Sequence, residues 1–130
     1  MHISCARNNI DILNNVSNYP AGGFVNSEGD NVNIINSRFI GNKNLTHDCC
    51  GRGSAIYTHK SGVQGGQTSI DNTIFAFNEG TEGTIGVSYS YTWISNSTFY
   101  GNINGGFITE GYYEDIFGEI LVENSIIWDT

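Results

Sequence analysis

The chain has 130 residues, enough for one domain with a modest core, and only 14% of them are charged. Its formal net charge is −8, and its five Lys and Arg residues all lie before residue 61, so it lacks the clustered cations that bind nucleic acids or anionic membranes. We therefore expect no nucleic-acid partner. No apolar stretch is long enough to span a bilayer and no signal peptide opens the sequence, so we also expect no direct membrane insertion.

A short sequence repeat recurs in chain order and predicts the fold. Its pattern is an aliphatic residue, any residue, Asn, Ser or Thr, any residue and an apolar residue, followed by two further residues and usually a second Asn. The copies occupy residues 34–42, 70–78, 94–102 and 122–129, and Asn14 is expected to belong to a degenerate earlier copy. A supersecondary unit repeated in tandem indicates a solenoid.

The segments between the repeats contain short apolar runs that follow Gly, and no helical periodicity of useful length is present. Each unit therefore holds two or three short strands separated by turns. Units of this kind predict a parallel β-helix, whose coils stack at about 4.8 Å. We expect one all-β domain over residues 1–130 with about four to five coils, and loops that project at 43–52, 58–68 and 109–119.

Two apolar and two Asn positions of the repeat should form stacks along the solenoid. The first apolar stack contains Ile34, Ile70, Ile94 and Val122, and the second contains Phe39, Phe75, Phe99 and Ile127. Asn adopts the left-handed conformation of a turn readily, and stacked amides hydrogen-bond from coil to coil. The predicted structural ladders are Asn36, Asn72, Asn96 and Asn124 for the first, and Asn42, Asn78 and Asn102 for the second.

The repeats also resemble those of a known family. FIGN (39–42), FAFN (75–78) and FYGN (99–102) alternate with GSAI (53–56) and GGFI (105–108). These motifs are similar to the FxxN and GGA[ILV] repeats of the polymorphic membrane proteins, a family of bacterial surface proteins. The resemblance implies a right-handed parallel β-helix, an extracellular or cell-surface location, and a role in adhesion and surface display.

Aromatic residues precede the third repeat and are the first candidate binding site. Strand alternation from the inward-facing Ile94 predicts that Tyr89, Tyr91 and Trp93 point outward. Tyr100 and Trp128 are expected on the same side of the solenoid or on an adjacent one. Flat aromatic rings along a strand can stack on sugar rings. The alternatives are a strip covered by a loop such as 109–119, or by a neighbouring protein.

Carboxylates offer weaker support for catalysis. Asp71 and Glu123 share one outward position of the repeat, with Ser95 between them, which places them about 10 Å apart. That separation is marginal for an acid and base pair. No Lys or Arg lies nearby in sequence to act as the base of a lyase, so we expect no catalytic residue.

Cysteine, histidine and acidic side chains provide the last candidates. Cys5 could form a disulfide with Cys49 or Cys50 if they lie in neighbouring coils, and three free thiols are the alternative. His47, Asp48 and His59 are possible zinc ligands without the usual paired spacing, so no metal is predicted. The acidic run is a weak calcium candidate or a solvated loop; it comprises Glu110, Glu114, Asp115 and Glu119.

Together these patterns predict a structural or adhesin-like segment of an extracellular or cell-surface protein. Incomplete repeats at both ends would expose unpaired strand edges, so the chain is expected to continue a longer solenoid or to self-associate end to end. A glycan and a host or cell-surface protein are the other expected partners, and no cofactor is predicted. The alternative function is a carbohydrate-active module that binds or cleaves an extracellular polysaccharide.

Overall fold

A computed structural model describes residues 4–18, 21–27, 31–45, 53–59, 67–110 and 118–129. Within these ranges every regular element is a β-strand. In chain order the strands are β1 (Ser4–Asn8), β2 (Asp11–Leu13), β3 (Val16–Ser17), β4 (Phe24–Ser27), β5 (Asn31–Ile35), β6 (Arg38–Ile40), β7 (Lys43–Asn44), β8 (Ile56–His59), β9 (Gln67–Asp71), β10 (Ile74–Ala76), β11 (Ile85–Ser88), β12 (Tyr91–Ser95), β13 (Thr98–Tyr100), β14 (Phe107–Glu110), β15 (Glu119–Glu123) and β16 (Ile126–Trp128).

Three parallel sheets run along the molecule. The first has the order β1-β5-β9-β12-β15, the second β2-β6-β10-β13-β16, and the third β4-β8-β11-β14. Every neighbour in a sheet comes from the previous or the next pass of the chain, and every pair is parallel. The short β3–β7 pair, continued by bridges at Glu79 and Ile103, adds a narrow fourth side. This arrangement confirms the predicted all-β parallel β-helix.

The core consists of the two predicted apolar stacks together with the inward residues of the third sheet. Ile34, Ile70 and Ile94 are buried, as are the three Phe residues of the second stack. Their rings lie face to face, with centroids 5.1 Å apart for Phe39 and Phe75 and 4.5 Å apart for Phe75 and Phe99. The last members differ. Ile127 is 50% exposed, because β16 lies at the edge of its sheet and, among the described strands, pairs only with β13.

The turns between the first two sheets are left-handed Asn residues, as predicted. Asn36, Asn72, Asn96 and Asn124 have φ between 45° and 53°. The preceding copy is held by Asn9, with φ 54°, because the Asn9 backbone N–H donates to Ile35 O, one coil on. The expectation that Asn14 holds the position of Asn36 in the earlier copy is therefore wrong. Asn14 also has positive φ, but it lies in the next turn, at the position that Gly41 occupies one coil later.

The ladder predicted at these turn Asn residues is not continuous. Their side chains are exposed rather than buried. Asn72 Nδ2 donates to Asn36 Oδ1 at 2.7 Å, but Asn96 Nδ2 donates to the Asp71 carboxylate at 2.8 Å. An anionic oxygen is a stronger acceptor than an amide oxygen. Asn96 therefore donates to the carboxylate instead of to the Asn72 amide, and the ladder is interrupted there.

The second predicted ladder is confirmed and is longer than expected. Asn42, Asn78 and Asn102 are fully buried. The side-chain nitrogen of each donates to the side-chain oxygen one coil on, at 2.8 to 3.0 Å, and each also donates to a main-chain carbonyl one coil back. Asn15 joins the row before Asn42, and Asp129 follows Asn102. Because the hydrogen bonds of the buried Asn42, Asn78 and Asn102 side chains are satisfied in the interior, this row fixes the register of successive coils.

Candidate functional site

The outward side chains of β9, β12 and β15 form one surface, which we call the β12 face. Strand register arranges nine positions in three rows: Gln67–Tyr91–Glu119, Ser69–Trp93–Leu121 and Asp71–Ser95–Glu123. Alternation along β12 buries Thr92 and Ile94 and leaves Tyr91 53% and Trp93 51% exposed. Two large rings therefore stand two residues apart on the same strand, facing outward from a hydrogen-bonded sheet.

Two shallow depressions lie on either side of the Trp93 ring. One has a volume of about 300 Å³ and is lined by Ser69, Trp93, Ile94, Ser95 and Glu123. The other has a volume of about 270 Å³ and is lined by Gln67, Tyr91, Thr92, Trp93, Glu119 and Leu121. Trp93 is the wall that both share. The face thus offers two neighbouring concavities of similar size, each with an aromatic ring and a carboxylate.

The third row contains the carboxylates that suggested acid–base chemistry. Ser95 Oγ and Asn96 Nδ2 both donate to Asp71 Oδ1 at 2.8 Å. The Asn96 amide, the Ser95 hydroxyl and the backbone at Asn72 hold the pKa of Asp71 below its usual value, although partial desolvation opposes them. Asp71 is therefore an ionised carboxylate with committed hydrogen bonds. Two strand spacings separate it from Glu123, as the sequence predicted.

Tyr89 does not belong to this surface. It lies in the turn before β12, with φ 54°, and its side chain is only partly exposed. Its ring packs edge-on against His59, with centroids 6.2 Å apart. The expectation that Tyr89 continues the outward row of Tyr91 and Trp93 is wrong, because β12 begins at Tyr91 and alternation cannot be extended back through the turn.

Tyr100 and Trp128 lie on the adjacent side of the solenoid, one of the two placements expected. They are register partners in the second sheet, and the Phe77 ring packs edge-on against Tyr100 at 5.5 Å. Trp128 is the more exposed of the two, at 71%. The five aromatic candidates therefore divide among two outward faces and one turn.

The thiol and metal candidates fall largely outside the described residues. Cys49 and Cys50 lie there, as do His47, Asp48, Glu114 and Asp115, and for Cys5 only the backbone, on β1, is described. His59 packs against Tyr57 and Tyr89. In the part of the chain that the structure describes, no group of three or more His, Cys, Asp or Glu residues is placed to hold a metal ion. The described ranges also contain no helix with the length and apolar character needed to cross a membrane.

The sequence reasoning missed Gln67, Ser69, Glu119 and Leu121 as neighbours of the aromatic pair. Glu119 was considered only as part of an acidic run. The signal was present in the repeat itself, because residues one and three positions before Ile70, Ile94 and Val122 must share the outward side of their strands. Aligning the repeats by these three residues places all four side chains beside Tyr91 or Trp93.

Comparison of the chain with protein-family models, with curated proteins and with solved structures yields no match.

Proposed function

We propose that the chain is a structural, adhesin-like segment of an extracellular or cell-surface protein, and that the β12 face contacts an extracellular partner. The observation that carries this proposal is the pair of half-exposed rings, Tyr91 and Trp93, on a single strand of a parallel sheet. Exposed Tyr and Trp side chains provide a large contact area with little loss of conformational entropy.

The solenoid suits this role because it holds the face in one geometry before a partner arrives. β12 is hydrogen-bonded to β9 on one side and to β15 on the other. Thr92, between the two rings, is buried, and Ile94, directly after Trp93, belongs to the hydrophobic core. A preorganised surface loses little freedom on binding, so more of the contact energy appears as affinity. The FxxN-like repeats support the same role by resemblance to surface proteins, which is an argument from fold alone.

Carbohydrate cleavage is the less favoured alternative. Asp71 is hydrogen-bonded twice and held in its ionised form, whereas a general acid needs a raised pKa. Glu123 lies two strands away, at roughly 10 Å. The geometry of this row favours binding over hydrolysis.

The proposal is tested by immobilising the purified chain and measuring the binding of extracellular polysaccharides and matrix proteins by interferometry. The Tyr91→Ala/Trp93→Ala variant is expected to lose binding. The matched control is Phe77→Ala/Tyr100→Ala, which also removes two half-exposed rings but from the adjacent side; it should bind as the wild type does. Equal loss in both variants, or retained binding in the first, would refute a role for the β12 face.

A second function, end-to-end assembly, is supported by a separate observation. β15 and β16 are the edge strands of the first two sheets, and Ile127 is half exposed where the equivalent Phe99 is fully buried. An open strand edge beside an uncovered apolar stack favours pairing with another coil. Light scattering over a concentration series should show growth of the molar mass, and an Ile127→Asp variant should suppress it. A constant monomer mass for the wild type would contradict self-association.

A further inference from the structure

The β12 face carries polar side chains without an ion-pair partner among the described residues. The side chains of Glu119 and Glu123 are exposed, and neither has an ion-pair partner among the described residues. Ser69 and Gln67 line the same depressions. With the phenol of Tyr91 and the indole N–H of Trp93, hydrogen-bond donors and acceptors surround two flat apolar rings. This composition matches a ligand that has both apolar ring faces and many hydroxyl groups.

The two depressions indicate a ligand with a repeating unit. They are similar in volume, about 300 and 270 Å³, and they meet at Trp93. Each contains one carboxylate and at least one small polar or amide side chain beside an aromatic wall. Four residue steps along β12, from Tyr91 to Ser95, span about 13 Å. Successive units of one chain, laid along the strand, would meet the same kinds of group twice.

Charge narrows the ligand class further. The face carries Asp71, Glu119 and Glu123, and no Lys or Arg contributes to its nine positions. Two basic side chains are engaged on other sides of the solenoid, where Arg38 pairs with Asp11 and Lys43 pairs with Glu79. An anionic polymer would meet repulsion at these nine positions, none of which carries a cation, whereas an uncharged polymer would not.

We propose that the β12 face binds an uncharged polysaccharide, with the Trp93 ring between two sugar subsites. In this arrangement Tyr91 and Trp93 stack on sugar faces, and Glu119 and Glu123 accept hydrogen bonds from sugar hydroxyls. The inference rests on the proposed function, because it specifies the partner that the same face contacts. A basic peptide also suits rings beside carboxylates. The paired subsites and the uncharged Gln67 and Ser69 favour the glycan.

The test is affinity electrophoresis of the intact chain in gels containing soluble β-glucan, mannan or galactan, with polygalacturonate and poly-L-lysine as charged probes. We expect retardation by at least one neutral polysaccharide and none by polygalacturonate. Binding should change little between low and high salt, because no ion pair forms. Trp93→Ala should weaken it by about tenfold or more, whereas Trp93→Phe should retain most of it, and Phe77→Ala/Tyr100→Ala should leave it unchanged.

The other outcomes overturn the inference in distinguishable ways. Retardation by poly-L-lysine alone, abolished by salt and by Glu119→Gln/Glu123→Gln, would assign the face to a basic partner. Trp93-dependent binding to a matrix protein alone would likewise refute the glycan. In both cases the proposed function stands. Binding of neutral glycan that is equal in the wild type and in a folded Trp93→Ala variant would place the glycan site elsewhere and refute the inference. Absence of binding to every polysaccharide, to poly-L-lysine and to every matrix protein would refute inference and function together. Circular dichroism of each variant establishes that it is folded.

Discussion

The buried amide row has a carboxylate at its last described position, and replacing Asp129 by Asn should stabilise the protein. Asp129 Oδ1 accepts hydrogen bonds from the backbone and side-chain nitrogens of Asn102, at 3.0 and 2.8 Å. Oδ2 is buried and has no hydrogen-bond partner among the described residues. It occupies the position of the amide nitrogen, which in Asn102 donates to Phe75 O at 3.1 Å. In the Asp129→Asn variant that nitrogen should donate to Phe99 O, the equivalent carbonyl.

Two terms set the expected magnitude. The new hydrogen bond contributes about 1 kcal/mol, and removal of the unsatisfied buried oxygen relieves roughly another 1 kcal/mol. The free energy of unfolding should therefore rise by about 2 kcal/mol. For a chain of this length that corresponds to an increase in Tm of roughly 8 °C. Urea unfolding followed by circular dichroism should show a higher midpoint with an unchanged slope.

The effect of charge must be separated from that of the hydrogen bond. Glu119→Gln also removes one negative charge, but at an exposed side chain without an ion-pair partner among the described residues, so it should change stability by less than about 0.5 kcal/mol. The reciprocal Asn102→Asp variant should destabilise, because it places an acceptor opposite both Phe75 O and Asp129. Equal stabilisation by Asp129→Asn and Glu119→Gln, or none by Asp129→Asn, would refute the reasoning.

Three further predictions concern the scaffold. Asn78→Ala should lower the free energy of unfolding by about 3 kcal/mol in urea titrations, because it leaves buried partners on both neighbouring coils unsatisfied; a loss below 1 kcal/mol would contradict the ladder's role. Phe77 and Asn14 occupy equivalent turns, with φ 55° and 54°. Because Asn adopts this left-handed conformation more readily than Phe, Phe77→Asn should raise the Tm through relief of about 1 kcal/mol of strain; a lower Tm would contradict this. The pKa of Asp71 is lowered from its usual 3.8, so its contribution to stability is present above that pH and is lost as the pH falls through the folded-state pKa. Asp71→Asn should therefore flatten the decline in Tm below about pH 4, and an unchanged decline would exclude Asp71.

The sequence predicted the interior of the fold better than its surface. Phe39, Phe75 and Phe99 recur at a fixed distance from buried Asn residues. Only one register of the coils both stacks these rings and satisfies the hydrogen bonds of the buried amides. The same reasoning failed for Asn96, because two acceptors, the Asn72 amide and the Asp71 carboxylate, compete for its side-chain N–H, and it donates to the carboxylate. It failed for Ile127 because burial depends on what lies over a residue, which a repeat pattern does not encode.

The candidate face was predicted only in part for similar reasons. The outward placement of Tyr91 and Trp93 follows from alternation. Tyr89 was misplaced because its left-handed turn uses neither Gly nor Asn, the residues by which such turns are usually recognised. The depressions beside Trp93 arise from side chains on three strands, and their shape is a property of packing. No role was predicted for the buried Ser and Thr of the repeat. In the structure these side chains bond between coils, since Ser97 Oγ accepts from the Thr73 backbone N–H at 3.2 Å.

The buried row of amides makes the same contacts across unequal lengths of chain. Asn42 and Asn78 are separated by 36 residues and Asn78 and Asn102 by 24, yet the side-chain bonds measure 3.0 and 2.9 Å. Twelve additional residues are therefore accommodated without any change in the contact between coils. Because the entropy of closing a loop grows only with the logarithm of its length, such a frame can acquire long insertions at little thermodynamic penalty. Peptides grafted into the longer connections should leave the frame intact, which makes this solenoid a modular support for foreign loops.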